Sequence, residues 1–237
     1  MNIAEQKTIT SQYYEAYEGS KQSTAKPRHY LELYEKYFGN LTDKELSILE
    51  LGIFEGHSLE YFSRLFPNSR VFGVDINKRK RTFSNDRVTM YQGAQQDPAL
   101  YQRIMAENGI TQFDVIIDDC SHIGSLTLDS FNILYPFLTP GGLYIIEDWG
   151  TGYWEKWPDG RKFEIQNHLQ RTGMVAGEHY TRFKNHNYGM PGIIKQLVDE
   201  VAMRDIACVH GLHIEASPKI EYLHIYPGIV FMRKVQN

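Results

Sequence analysis

Four short apolar runs, each closed by an acid or a glycine, constrain this chain more than anything else in it. They are LSILELG (46–52), RVFGVDI (70–76), FDVIIDD (113–119) and GGLYIIED (141–148). Continuously apolar strands are stable only where both faces of a sheet are covered. The intervening stretches SLEYFSRLF (58–66), PALYQRIMAENG (98–109) and SLTLDSFNILYPFL (125–138) read as helices that supply the cover. The expected fold is α/β, a doubly wound Rossmann-like sheet, mostly parallel. A helix over about Ile193–Arg204 follows, then DIACVHGLHI (205–214) and EYLHIYPGIVFMRKV (221–235) as a strand pair that adds an antiparallel edge.

The remaining pieces are read as parts of one domain spanning 1–237. Residues 1–45 form a helical, aromatic cap, 46–149 the cofactor-binding core, 150–190 an aperiodic lid rich in Gly, Trp, Tyr and His, and 191–237 the C-terminal helix and strand pair. A net charge of −4 with mixed signs offers no basic stripe for nucleic acid. The short run NKRKR (77–81) reads as a solvated helix start. No apolar run approaches the roughly 20 residues that span a bilayer, and MNIAEQKTIT lacks the pattern of a signal peptide. Two cysteines make no disulfide framework. A reduced, cytoplasmic protein is expected.

The strand ends carry the chemistry. Glu50, Gly52, Gly56 and Ser58 follow the first strand, where glycine permits close backbone approach and the next helix offers its amides to an anion. The G-x-G-x-x-G spacing is missing. Asp75 ends the second strand, about 20 residues on, where such folds place an acid against ribose hydroxyls; helix capping is the alternative. Gln95 or Gln96 is a candidate for the base pocket, and Asp118 is assigned to the cofactor side. Asp119, Glu147 and Asp148 end what should be neighbouring strands, and converging carboxylates require a cation. Oxygen ligands suit Mg²⁺, with Mn²⁺ or Ca²⁺ as alternatives. Cys120 reads as a small buried filler.

An acid and two glycines after the first strand, with an acid after the second, resemble class I S-adenosylmethionine-dependent methyltransferases. IDDCSH (117–122) with GGLYIIED, and HYLELYEKYFG (29–39), narrow the resemblance to the metal-dependent macrolide-sugar O-methyltransferases of the mycinamicin and macrocin type, and to cephalosporin-hydroxylase-like proteins. The resemblance implies S-adenosylmethionine as cofactor, Asp119, Glu147 and Asp148 as Mg²⁺ ligands, and His122 as general base. It also implies a glycoside or other vicinal diol of a natural product or glycan as acceptor, in antibiotic biosynthesis. Segment Lys21–Tyr30 would cover the cofactor, and Tyr153, Trp154 and Trp157 would face the sugar. Cys120 stands where these relatives carry glycine, and Ala94 where they often carry aspartate. This chain is shorter than mycinamicin-type enzymes with an extra N-terminal domain, so a homo-oligomer stays open. The rival readings are a nicotinamide oxidoreductase, a non-catalytic partner of the same fold, and a non-haem iron oxygenase on Asp119, His122 and Glu147. The last would need a second imidazole from His168, His179 or His186.

Overall fold

The computed structural model describes residues 2–17, 26–163, 186–211 and 220–236. Helices α1 (Ile3–Tyr17) and α2 (Arg28–Phe38) precede strand β1 (Ser47–Leu51). Then come α3 (His57–Leu65), β2 (Arg70–Asp75), β3 (Val88–Gln92), α4 (Pro98–Asn108), β4 (Phe113–Asp118), α5 (Gly124–Leu134) and β5 (Leu138–Glu147). A short helix α6 (Pro158–Phe163), a long helix α7 (Gly189–His210), and strands β6 (Ile220–Ile225) and β7 (Ile229–Lys234) complete the described chain. The seven strands form one sheet in the order β3-β2-β1-β4-β5-β7-β6, with β7 antiparallel to both its neighbours and the other pairings parallel.

The apolar strand runs divide their side chains between two cores by the period of two that a strand imposes. Ile48, Val115, Ile117 and Ile145 face α2 and α3, packed with Tyr30, Tyr34, Phe38 and Phe62. Leu49, Ile116, Tyr144 and Ile146 face the other way, against α4, α5 and α7 through Ile104, Phe131 and Ile193. The N-terminus of α1 is fixed by a reciprocal pair of bonds. The Glu5 amide donates to Asn2 Oδ1 and the Asn2 amide to Glu5 Oε2, each at 2.9 Å, satisfying donors that a helix start leaves orphaned.

Two local expectations are corrected. Residues 205–210, read as strand, continue α7, and the antiparallel pair lies wholly within 220–234. The β-branched residues of DIACVH, Ile206 and Val209, are exposed at the helix end, where no strand among the described residues pairs with them to express their β-propensity. The basic run 77–81 starts no helix. Instead Arg79 pairs with Asp75 at 3.0 Å and Arg81 donates to the Glu55 carbonyl at 3.0 Å, so these cations lace the loops together. Within the supposed lid, residues 164–185 lie outside the described residues. Its flanks are held by Asp159, whose Oδ2 accepts from the amides of Gly124 at 2.8 Å and Met190 at 3.0 Å.

Candidate active site

A cavity of about 680 Å³ opens at the carboxyl ends of the central strands. Among the residues read as functional, Gly52, Asp75, Gln95, Asp119, His122, Glu147 and Asp148 line it. Gly52 has a φ of 81°, and a Cβ there would stand 2.1 Å from the Asp119 carbonyl oxygen. The loop after β1 therefore touches the chain leaving β4. Gly56, with a φ of 75°, turns the chain into α3. Asp75 accepts from the amides of Phe54 at 3.1 Å and Asn77 at 2.8 Å, besides pairing with Arg79. Gln95 is buried, donates to Ser130 Oγ at 3.1 Å, and gives its carbonyl to the Tyr101 hydroxyl at 2.6 Å.

The acid doublets are sorted by strand geometry. In the β1–β4–β5 register, Glu50 lies beside Ile117 and Asp118 beside Ile146. Alternation then sends Glu50, Asp119 and Glu147 to the α2 face and Asp118 to the α5 face. Asp118 is accordingly buried away from the cavity, accepting from Ser130 Oγ at 2.8 Å, and desolvation pushes its carboxyl up to about 7. Asp148 adopts a left-handed φ of 54° just beyond β5 and His122 one of 51° beyond β4. Such backbone costs about 1–3 kcal/mol per residue and gathers at functional sites. It brings both side chains back to Asp119. His122 Nε2 lies 3.9 Å from Asp119 Oδ1 and 3.8 Å from Asp148 Oδ2. One donor atom from each of the three falls within 4.8 Å of the others, close enough to share a cation.

Burial lowers the His122 imidazole below its ordinary value, against the pull of Asp148 and Glu147 in the other direction. The ring is therefore neutral near pH 7 and able to accept a proton. Trp157 packs edge-on against it with ring centroids 5.0 Å apart and lines the cavity. Of the other lid aromatics, Trp154 is exposed, and Tyr153 packs against Phe163 and His186. His186 is bound to the Gly152 carbonyl at 2.6 Å, away from the acids, while His168 and His179 lie outside the described residues. Cys120 is a free thiol on the cavity wall, and burial followed by the neighbouring acids pushes it up to about 12.

Lys26 is the residue that sequence reasoning passed over. It is buried, and its ammonium lies 2.7 Å from Glu147 Oε1, 3.0 Å from Asp119 Oδ2 and 3.1 Å from Glu50 Oε1. Burial alone would lower it, but Asp119, Glu147 and Glu50 hold it well above the ordinary lysine value. Burial also lifts Asp119 and Glu147 to about 7, with Lys26 opposing in each case. Glu50 receives in addition the Ser58 hydroxyl at 2.6 Å, so it props Lys26 instead of lining the main cavity. Tyr34 donates to Glu147 Oε1 and Tyr30 to Asp148 Oδ1, the latter at 2.7 Å. Positions 26, 30 and 34 recur every fourth residue, so one face of the segment entering α2 presents an ammonium and two phenols to the acids. That spacing was the available signal. Behind Tyr30 lies the β6–β7 turn. Trp149 donates through its indole to the Tyr226 carbonyl at 2.9 Å and through its amide to the Gly228 carbonyl at 3.2 Å.

Comparison with known proteins bears on this geometry. The chain is 35% identical over 212 residues to demethylmacrocin O-methyltransferase of Streptomyces fradiae, covering 86% of this chain and 48% of the relative. It is 37% identical over 213 residues to 8-demethyl-8-(2-methoxy-alpha-L-rhamnosyl)-tetracenomycin-C 3'-O-methyltransferase of Streptomyces olivaceus, covering 86% and 49%. Both relatives are named as O-methyltransferases. The chain spans about half the length of these curated relatives. The fold is shared with the MycE methyltransferase of the mycinamycin pathway, solved in complex with Mg, SAH and mycinamycin VI. That match has a TM-score of 0.70 and 24% identity, and covers 98% of this chain and 54% of MycE. No family model matches the chain. Among the described residues, no helix is long and apolar enough to cross a membrane.

The residues present fit a divalent cation. Two carboxylates converge with an imidazole at the rim of the cavity, and a third, Glu147, adjoins them behind Lys26. An oxygen-rich donor set of this kind suits Mg²⁺ or Mn²⁺.

Proposed function

We propose that the chain is an S-adenosylmethionine- and Mg²⁺-dependent O-methyltransferase that acts on a sugar hydroxyl or other vicinal diol of a natural product. The observation that carries this reading is the convergence of Asp119, His122 and Asp148 at the rim of a cavity floored by Gly52 and Asp75, in a chain whose relatives are named as O-methyltransferases.

In this reading Asp75 meets the cofactor ribose, Gly52 lets the cofactor approach the backbone, and Gln95 borders the base. Asp119 and Asp148 hold the cation, joined by Glu147 if Lys26 yields it. Bound S-adenosylmethionine would supply an electrophilic methyl group, and the cation a Lewis acid for the acceptor oxygen. His122 takes the acceptor hydroxyl proton, a role for which its neutral state is required. Trp157 walls the imidazole from solvent and offers an aromatic face to a sugar. The whole chain is proposed to work as one methyltransferase unit in the reducing cytoplasm, where the Cys120 thiol stays free.

The test is calorimetric titration of EDTA-stripped protein with S-adenosylmethionine, with and without Mg²⁺, followed by methyl-transfer assays on deoxysugar glycosides. Cofactor binding with Mg²⁺-dependent turnover supports the reading. No cofactor binding under either condition removes it.

A further inference from the structure

The structure assigns to Lys26 the role of a resident counter-cation, which a divalent metal displaces from Asp119 and Glu147 on binding. The inference rests on the metal-dependent reading above.

A lysine ammonium has three donors; here two go to carboxylates from different strands, Asp119 after β4 and Glu147 on β5, while Glu50 on β1 stays an ion-pair neighbour at 3.1 Å with no hydrogen bond to its Oε1. Buried carboxylates without a counter-charge are costly. The ammonium therefore offsets part of the negative charge that a metal at Asp119 and Glu147 would also offset. Asp119 is the shared element. Its Oδ2 contacts Lys26, while its Oδ1 is the oxygen nearest His122. Two positive centres on one carboxylate repel each other strongly at this separation. On Glu147, Oε1 is already bound by Lys26 and Tyr34, so a metal and the ammonium would compete for that oxygen. Lys26 itself lines the cavity beside Gly52, so a displaced ammonium has space to enter.

The experiment titrates Mg²⁺ by calorimetry into EDTA-stripped wild type, Lys26→Met and Lys26→Arg, with circular dichroism and S-adenosylhomocysteine binding as fold controls. Lys26→Met is expected to bind Mg²⁺ about tenfold or more tightly and to gain a larger Mg²⁺-induced rise in Tm, with Lys26→Arg close to wild type. Unchanged or weaker binding by Lys26→Met overturns the inference and leaves the methyltransferase reading standing. Should Lys26→Met not fold, wild type answers alone. Mass-spectrometric labelling with an amine-reactive acetylating reagent should rise severalfold at Lys26 when Mg²⁺ is added, and constant labelling overturns the inference. Absence of Mg²⁺ binding to wild type overturns both this inference and the metal-dependent reading, while cofactor binding is judged separately.

Discussion

The Tyr30 hydroxyl donates to Oδ1 of Asp148 across 2.7 Å, while Oδ2 of the same carboxylate lies nearest His122. The phenol thus fixes which oxygen is offered to a cation. Tyr30→Phe should lower Mg²⁺ affinity by about 10–100-fold, the usual cost of losing such a support. Mg²⁺ calorimetry checks this, with S-adenosylhomocysteine affinity expected to hold.

His122 combines a left-handed backbone with a proton-accepting ring. Asparagine tolerates that backbone conformation but cannot serve as the proposed base. His122→Asn should retain cofactor binding and wild-type Tm while kcat falls by about 10²–10⁴-fold. Steady-state kinetics beside a thermal melt separates lost chemistry from lost fold.

Gly52 and Gly109 both have positive φ, but only Gly52 is crowded. At Gly109 a Cβ would meet nothing within 4 Å. Gly109→Ala should cost only about 1 kcal/mol of backbone strain. Gly52→Ala, with the Asp119 carbonyl 2.1 Å from the new Cβ, should cost more than about 3 kcal/mol and misplace Asp119. Urea denaturation of the pair measures the difference.

The Asp159 carboxylate joins the starts of α5 and α7 through the Gly124 and Met190 amides. Asp159→Ala leaves two buried donors without their acceptor, each worth about 1–3 kcal/mol. A drop of several degrees in Tm is expected, with Asp159→Asn intermediate because its carbonyl oxygen can still accept.

His186 is buried against Phe163 and Tyr188, and burial lowers its imidazole from the ordinary 6.5. The unfolded chain therefore takes up its proton first. The stability tied to the neutral ring is complete above about pH 6.5 and is lost as pH falls through the lowered folded value. His186→Gln should flatten the pH dependence of the urea midpoint between pH 7 and 5.

The strand ends were legible because apolar runs stop sharply at Gly52, Asp75, Asp119 and Asp148, and those stops line one end of the sheet. The doublet Asp118–Asp119 also contained its own division. Counting alternate residues back along β4 puts Asp119 with Val115 and Ile117, and Asp118 with Ile116 on the opposite core. Lys26 was legible only as part of a covering segment and of a four-residue spacing with Tyr30 and Tyr34; only a fold that carries it onto three strand ends reveals its burial. The Asp205–His210 stretch misled because its Ile, Cys and Val suit a strand by composition, whereas Ile206 and Val209 stand exposed on the last turns of α7.

The β6–β7 turn, anchored through Trp149 and pressed against Tyr30, acts as a buttress at the back of the acid cluster. A Cβ on Gly228 would lie 2.1 Å from the Tyr30 oxygen, and His29 also reaches the Pro227 carbonyl at 3.1 Å. Redesign of this hairpin for an unrelated purpose, such as a fusion point or an affinity tag, would therefore shift Tyr30 and, through it, the Asp148 carboxylate at the neighbouring strand end.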